Sequence, residues 1–229
     1  MPEDHGRRRS WEELYRREEV ESLPWFYQGL DPDFAAALEK WEIARGQMLD
    51  LCTGPGTQAL AMAERGFSVT AADIAGTAVK QACLRASELG MDIVFRQNDI
   101  LDNRIEKRFD LVFDRGCYHV FPRQDRERYV PVVAGLLRPA GVLLLKCFSH
   151  RERRREGPYR IPPEEIRELF GSRFEILSIE HTVFRSVRLD PAPKALFCVM
   201  RRRRRPAETR LKRFFPRFES SAAGTRLIS

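Results

Sequence analysis

The residues best suited to chemistry lie in Asp50-Leu51-Cys52-Thr53-Gly54-Pro55-Gly56-Thr57. An apolar run enters this segment and a helix-like run leaves it, so the glycines mark a strand-to-helix turn. Glycine there lets the backbone approach a ligand closely, and the N–H groups that open the helix favour an anion. Asp73 follows Gly54 by nineteen residues, at the end of the next apolar run. In a doubly wound sheet, a carboxylate at that place accepts hydrogen bonds from both hydroxyls of a ribose. Turn and acid together point to an adenosine-containing ligand. Gly54-x-Gly56-x-x-Ala59 also satisfies the dinucleotide pattern of a nicotinamide-dependent oxidoreductase. Asp50 argues against that reading, because a carboxylate facing the crevice repels a pyrophosphate and suits an ammonium group.

The elements that position these residues alternate. Strands are expected at Gln47 to Cys52, Phe67 to Asp73, Asp92 to Asn98, Phe109 to Asp114 and Val142 to Phe148. Between them, helices are expected at Thr57 to Arg65, Thr77 to Leu89 and Arg123 to Leu137, the last stopped by Arg138-Pro139-Ala140-Gly141. This alternation predicts an α/β fold, a Rossmann-like doubly wound sheet with helices on both faces. After a helix at Pro162 to Phe170 come two strand candidates, Phe174 to Phe184 and Ala195 to Met200. No helix separates these two, so they should pair antiparallel at one edge, giving seven strands in a mostly parallel sheet. Ahead of the sheet, residues 1–44 read as a helical arm, with a helix from Ser10 to Val20. A second helix is capped by Asp31 with Pro32 in its first turn.

The formal net charge of +7 is unevenly placed. Residues 201–229 hold ten Lys or Arg against two Glu, a net of +8, so residues 1–200 carry 7 minus 8, or −1. The basic tail, opened by Arg201 to Arg205, reads as a solvated terminus. Its alternative is an RNA-associated protein that uses the arginines to attract phosphates. Residues 45–200 then form the catalytic domain, and a nucleic-acid partner is not expected. No uncharged stretch approaches the roughly 18 residues of a membrane span. The odd set of five cysteines, without a CxxC pair, reads as free thiols in a reducing, cytoplasmic setting, with no disulfide framework and no metal site.

Asp50-x-Cys52-x-Gly54-x-Gly56 resembles motif I of the class I S-adenosylmethionine-dependent methyltransferases, usually Asp-x-Gly-x-Gly-x-Gly, with Cys52 in place of the first glycine. The resemblance covers roughly residues 45–200. It implies S-adenosyl-L-methionine as cofactor, held by Asp50, Cys52, Thr53, Gly54, Gly56, Asp73, Asp99 and Asp114. Ile74 and Ile100 would sandwich the adenine, and Asp99 would meet its amino group. Leu137-Arg138-Pro139-Ala140-Gly141 resembles the family's turn before strand five. Asp114-Arg115-Gly116 resembles the thiopurine and tellurite-resistance branch, which implies a small-molecule acceptor such as a thiol or a chalcogen anion. The Asn-Pro-Pro-Tyr pattern of macromolecular amine methylation is absent. A protein of this fold that binds the cofactor without catalysis remains a further alternative.

Methyl transfer from a sulfonium needs alignment and electrostatics, with no covalent enzyme intermediate. Tyr118 and Trp25 are candidates for holding the sulfonium by cation–π attraction; the competing role for Trp25 is packing of the arm. Arg115 would bind a carboxylate or an anionic acceptor, or else pair with Asp110. His119 would serve as a general base for a hydroxyl or amine acceptor, or else be structural. Cys117 reads as a buried small residue, and His150 as a second pocket-lining histidine.

Overall fold

A computed structural model describes residues 3–186 and 189–204, with side chains from Ser10 onward. Seven strands form one sheet: β1 (Gln47–Leu51), β2 (Ser68–Asp73), β3 (Ile93–Gln97), β4 (Phe109–Arg115), β5 (Leu137–Phe148), β6 (Phe174–Val183) and β7 (Lys194–Arg202). Their order across the sheet is β3-β2-β1-β4-β5-β7-β6. The pairs from β3 through β5 are parallel, and β7 runs antiparallel between β5 and β6. Chain order reverses between β1 and β4, so the crevice for a ligand opens at the carboxyl ends of these two strands. The edge hairpin and the α/β architecture match the expectation.

Six α-helices are described: α1 (Glu3–Arg17), α2 (Pro32–Lys40), α3 (Thr57–Glu64), α4 (Gly76–Glu88), α5 (Arg123–Leu136) and α6 (Pro163–Phe170). The central strands are buried on both faces, and the period of two sorts their side chains. Leu49, Leu51, Val112, Leu143 and Leu145 pack toward Tyr129, Val133 and Phe170 of α5 and α6. Met48, Leu111, Phe113 and Leu144 pack the other way, toward Phe34 and Leu38 of α2 and Met62 of α3. Only part of the arm is therefore peripheral. Its helix α2 is a core layer, capped by Asp31 as expected, while Tyr15 of α1 and Leu23 after it pack with Ala75 and Ala78 at the start of α4.

Several boundaries differ from the sequence expectation, and the first helix already begins at Glu3 instead of Ser10. The first helix ends at Arg17, and Val20–Ser22 is a separate 3-10 turn. Arg138 to Gly141 is no connecting turn but lies within β5, where the register jumps from Phe109 with Leu137 to Leu111 with Val142. Ala140, at φ 67, supplies the left-handed step in that irregularity. Strand β7 continues through Arg201 and Arg202, so the first two tail arginines belong to the sheet. The rest of the tail, from Arg205, lies outside the described residues.

Candidate active site

A cavity of about 1000 Å³ opens at the carboxyl ends of β1, β2 and β4 and extends past β5. At one end, Cys52, Asp73, Ile74, Asn98, Asp99 and Ile100 form its wall, and Trp11, Tyr15 and Trp25 of the arm close over them. The three arm aromatics meet one another at centroid separations of 5.7–6.5 Å. At the other end, Arg115, His119, Phe148, Tyr159, Arg160 and Phe184 line the wall.

The glycine turn is built as its sequence requires. Gly54 and Gly56 have φ of 50° and 78°, and a Cβ on Gly54 would stand 2.6 Å from the Tyr15 hydroxyl. The arm thus rests directly on the turn. Asp73 ties the turn to β2: its Oδ2 accepts the Gly54 N–H at 2.9 Å and its Oδ1 the Ala75 N–H at 3.0 Å. Each oxygen keeps acceptor capacity beyond these bonds. Asp73 lines the cavity, as do Asp99, Ile74 and Ile100. Asp99 accepts the Leu101 N–H at 2.9 Å. These residues fit a nucleoside: two apolar side chains for a base, and acids for ribose hydroxyls and an exocyclic amine.

Several expected site residues take other places. Asp50 is 2 % exposed and does not reach the cavity wall; it accepts the Thr53 hydroxyl at 2.6 Å. Asp50 and Thr53 therefore brace the turn from below instead of facing a ligand. Asp114 is fully buried and accepts hydrogen bonds from the N–H groups of Gly116, Cys117 and Tyr118 and from the Tyr129 hydroxyl. It shapes the loop after β4 and is not on the wall. Burial pushes Asp50 up to about 7, with the charges of Asp73 and Asp114 adding to it. Burial likewise pushes Asp73 and Asp114 up to about 6. Three acids thus stand together, Asp73 on the cavity wall and Asp50 and Asp114 behind it, each uncomfortable as an anion.

Tyr118 is fully buried among Tyr129 and Phe170, and its hydroxyl donates to Glu165 at 2.9 Å. Burial and the Glu165 charge push its hydroxyl far above the ordinary range. It can neither hold a sulfonium nor act as an acid here. Trp25 does line the cavity. Arg115 lines it too, but pairs with Asp31 (2.8 Å) and donates to the carbonyls of Trp25 and Arg185, both at 3.0 Å. Asp110, its expected partner, belongs instead to Arg138 and the Gln47 N–H. His150 is off the wall and meets the His181 ring edge to face.

His119 is on the wall, yet its chemistry is fixed. Its Nδ1 accepts the Phe148 N–H at 2.8 Å, which leaves the ring proton on Nε2. Burial, with the charges of Arg115 and Arg160, pushes its pKa down to about 3. The imidazole is neutral and can only donate into the cavity.

Cys52 and Cys117 are joined as a disulfide, which corrects the reading of five free thiols; Cys83, Cys147 and Cys198 are free. Sequence reasoning also missed Trp11, Tyr15, Asn98 and Arg160 on the wall. The Trp11–Tyr15 spacing of four, which puts both rings on one helix face, was the available signal. Missed as well was the buried ion cluster that holds the arm. Lys146 contacts Asp31 (2.8 Å) and Asp33 (2.7 Å) beneath Arg115.

A doubly wound sheet with a glycine turn, an acid on the cavity wall at the end of β2 and an aromatic cover is the architecture of a Rossmann-like methyltransferase. The thiopurine S-methyltransferase pattern matches residues 7–195, and the chain belongs to that family. It is a methyltransferase, and S-adenosyl-L-methionine is its cofactor. The oxidoreductase and RNA-directed alternatives gain no support from this match. A 2-heptyl-1-hydroxyquinolin-4(1H)-one methyltransferase of Mycobacteroides abscessus is 28% identical over 167 residues, covering 69% of this chain and 73% of its own. A probable thiol methyltransferase 2 of Arabidopsis thaliana is 28% identical over 172 residues, covering 74% and 75%. A solved structure described as "Conversion of a Disulfide Bond into a Thioacetal Group during Echinomycin Biosynthesis" superposes with TM-score 0.74 at 26% identity, covering 85% of this chain and 92% of that one. No described helix is long and apolar enough to cross a membrane.

Proposed function

We propose that this chain methylates a flat, largely apolar small molecule whose nucleophile arrives as an anion, a thiolate or the oxyanion of an acidic hydroxyl. The observation that carries this reading is His119, locked as a neutral donor in a wall that also bears Arg115, Arg154 and Arg160. Arg115 is paired there with Asp31 and Arg154 with Glu152, while the Arg160 guanidinium donates to the backbone carbonyls of Arg154, Glu156, Gly157 and Pro158; the carboxylate on the wall at that end is the exposed Glu156. Positive charge in a half-enclosed site favours the deprotonated form of an acceptor and so takes over the work of a base. Phe121, Phe148, Tyr159 and Phe184 offer faces for a planar body. The hydroxyquinolone and thiol named for the two relatives are acceptors of this kind.

In this reading Ile74 and Ile100 hold the adenine, Asp99 its amino group and Asp73 the ribose hydroxyls. Trp25 and Tyr15 cover the cofactor and exclude water. The acids beneath the turn favour a cationic ligand over a diphosphate. When bound, S-adenosyl-L-methionine supplies a methyl group already activated on a sulfonium. The chain's own residues align the acceptor for in-line displacement, and the His119 Nε2–H and the guanidinium groups steady its charge.

Release of S-adenosylhomocysteine from a panel of acceptors tests this. Aryl thiols and N-hydroxy heteroaromatics should turn over, with kcat/KM rising through the acceptor's own pKa, while aryl amines and alkyl alcohols should not. His119→Asn, whose Oδ1 can still accept the Phe148 N–H, should cost less than about tenfold. A general base would cost about 10²–10⁴, and a loss of that size would sink the proposal.

The cofactor end makes its own prediction. Asp73→Ala should weaken S-adenosylhomocysteine binding by about 1–3 kcal/mol through lost hydrogen bonds. Because burial raises Asp73 to about 6, wild-type affinity should fall as the pH drops below that value and the acceptor lone pairs are protonated. Asp73→Asn should flatten this dependence in calorimetric titrations. Unchanged affinity in Asp73→Ala would remove Asp73 from the site.

A further inference from the structure

Cys52 leaves β1 for the glycine turn, and Cys117 follows Gly116 off β4. The two strands are paired with Leu51 beside Asp114, so both cysteines emerge from the sheet next to each other. Their Cα atoms are 5.6 Å apart, the sulfurs are joined, and both residues line the cavity. Cys52 also holds φ at 51°, a left-handed conformation that costs an L-residue about 1–2 kcal/mol and glycine almost nothing. A sulfur therefore stands where the backbone is better served by no side chain at all. Of the other cysteines, Cys83 is an exposed free thiol away from the cavity wall. Cys147 and Cys198 are fully buried, with thiols pushed up by burial, Cys198 to about 12.

We propose that Cys52 and Cys117 are a reversible dithiol–disulfide site in the wall of the cofactor cavity, and that the bonded state holds the turn and the loop after β4 ready for the cofactor. The inference rests on reading this cavity as the cofactor site. A low-molecular-weight disulfide such as oxidised glutathione is the oxidant. One protein thiolate attacks it and expels a first thiol; the second protein thiolate attacks the mixed disulfide and expels another. Two protein S–H bonds become one S–S bond, and the two electrons and two protons leave in two molecules of small thiol. Access is through the cavity, because Cys117 is 1 % exposed and Cys52 half-buried. Ordering two loops on ligand binding costs entropy, and loops already tied together have less to lose. The coupling is reciprocal: an occupied cavity favours the disulfide by the same factor by which the disulfide favours occupancy.

The test compares the full chain after oxidised glutathione with the same chain after a phosphine reductant. Alkylation and intact mass count the thiols, and calorimetry gives the Kd for S-adenosylhomocysteine. The oxidised form should show two fewer alkylatable thiols and bind about three- to tenfold tighter. Bound S-adenosylhomocysteine should slow alkylation of Cys52 in the reduced form. Cys52→Gly, which suits the left-handed backbone, should bind like the reduced chain and ignore both reagents. Equal affinities, weaker binding by the oxidised form, or no loss of thiols would overturn the proposal. No binding in either state would instead overturn the cofactor reading, and this inference with it.

Discussion

Asp31→Ala is expected to lower stability by about 3–5 kcal/mol, because it removes one partner from a buried ion cluster and leaves the other charges uncompensated. Asp31 has no exposure, and both its oxygens contact the Lys146 ammonium, at 2.8 and 2.9 Å. One oxygen also pairs with Arg115, and the side chain caps α2 through the Asp33 N–H. After truncation, the buried Lys146 keeps Asp33 as its carboxylate partner, and Arg115 keeps two carbonyls and its ring contacts but no carboxylate. The loss should reach the cavity, since Arg115 holds the Trp25 carbonyl and Asp31 anchors the segment that carries Trp25. Cofactor affinity should fall along with stability. Urea unfolding at pH 7 measures the first and calorimetry the second. A change below about 1 kcal/mol would class the cluster with exposed ion pairs.

The same cluster carries a pH signature. Burial alone would raise Asp31, but Lys146 and Arg115 outweigh it and hold the carboxyl below its ordinary 3.8. A depressed carboxylate contributes stability that is present above its unfolded pKa and lost as the pH falls through its folded one. Wild type should therefore lose this increment on acidification below about pH 4. Asp31→Asn, which cannot titrate, should not.

The cluster also shows where sequence reasoning stops. Lys146 in the apolar run Val142 to Phe148 demanded a buried partner, since ammonium groups are not left unpaired in a core. Nothing in the chain's spacing pointed to Asp31, 115 residues away. Asp31 was legible as a helix cap and is one, yet its larger role comes from α2 packing over the ends of β4 and β5. The disulfide was hidden for the same reason. Cys52 and Cys117 are 65 residues apart, and only the β1–β4 pairing makes them neighbours.

What was legible follows local rules. Runs of period two and glycine stops place every strand within a few residues except the start of β5, where Pro139-Ala140-Gly141 reads as a turn but sits inside the strand as a bulge. The wall residues Asp73, Ile74, Asp99 and Ile100 follow from the fold's switch point. Residues past β4 do not. Tyr118–Val120 is a 3-10 turn, in which positions three apart share a face. A Cβ on Gly116 would stand 3.1 Å from His119 Nε2, while Tyr118 turns into the core. A shift of one residue separates cavity wall from packing, and sequence patterns do not resolve it.

The carboxylate that sets this turn yields the second large effect. Asp114 Oδ1 accepts the N–H groups of Gly116 (3.0 Å) and Cys117 (2.7 Å), and Oδ2 accepts the Tyr118 N–H (2.9 Å) and the Tyr129 hydroxyl (2.5 Å). All four partners donate. Asp114→Asn is nearly isosteric, but in either amide orientation its NH2 faces at least one backbone N–H. The Tyr129 hydroxyl can reverse and accept; the backbone cannot. Each buried donor left unpaired costs about 1–3 kcal/mol, so Asp114→Asn should lose about 2–4 kcal/mol and Asp114→Ala more. Because the turn carries Cys117 and His119 to the cavity, Asp114→Asn should also weaken S-adenosylhomocysteine binding without touching the ligand. Tyr129→Phe separates the two contributions. It removes one donor, leaves the three backbone bonds, and should cost about 1 kcal/mol with cofactor affinity unchanged. If Asp114→Asn proved as mild as Tyr129→Phe, the turn would owe its shape to packing, and the carboxylate's four hydrogen bonds would not be what brings His119 to the wall.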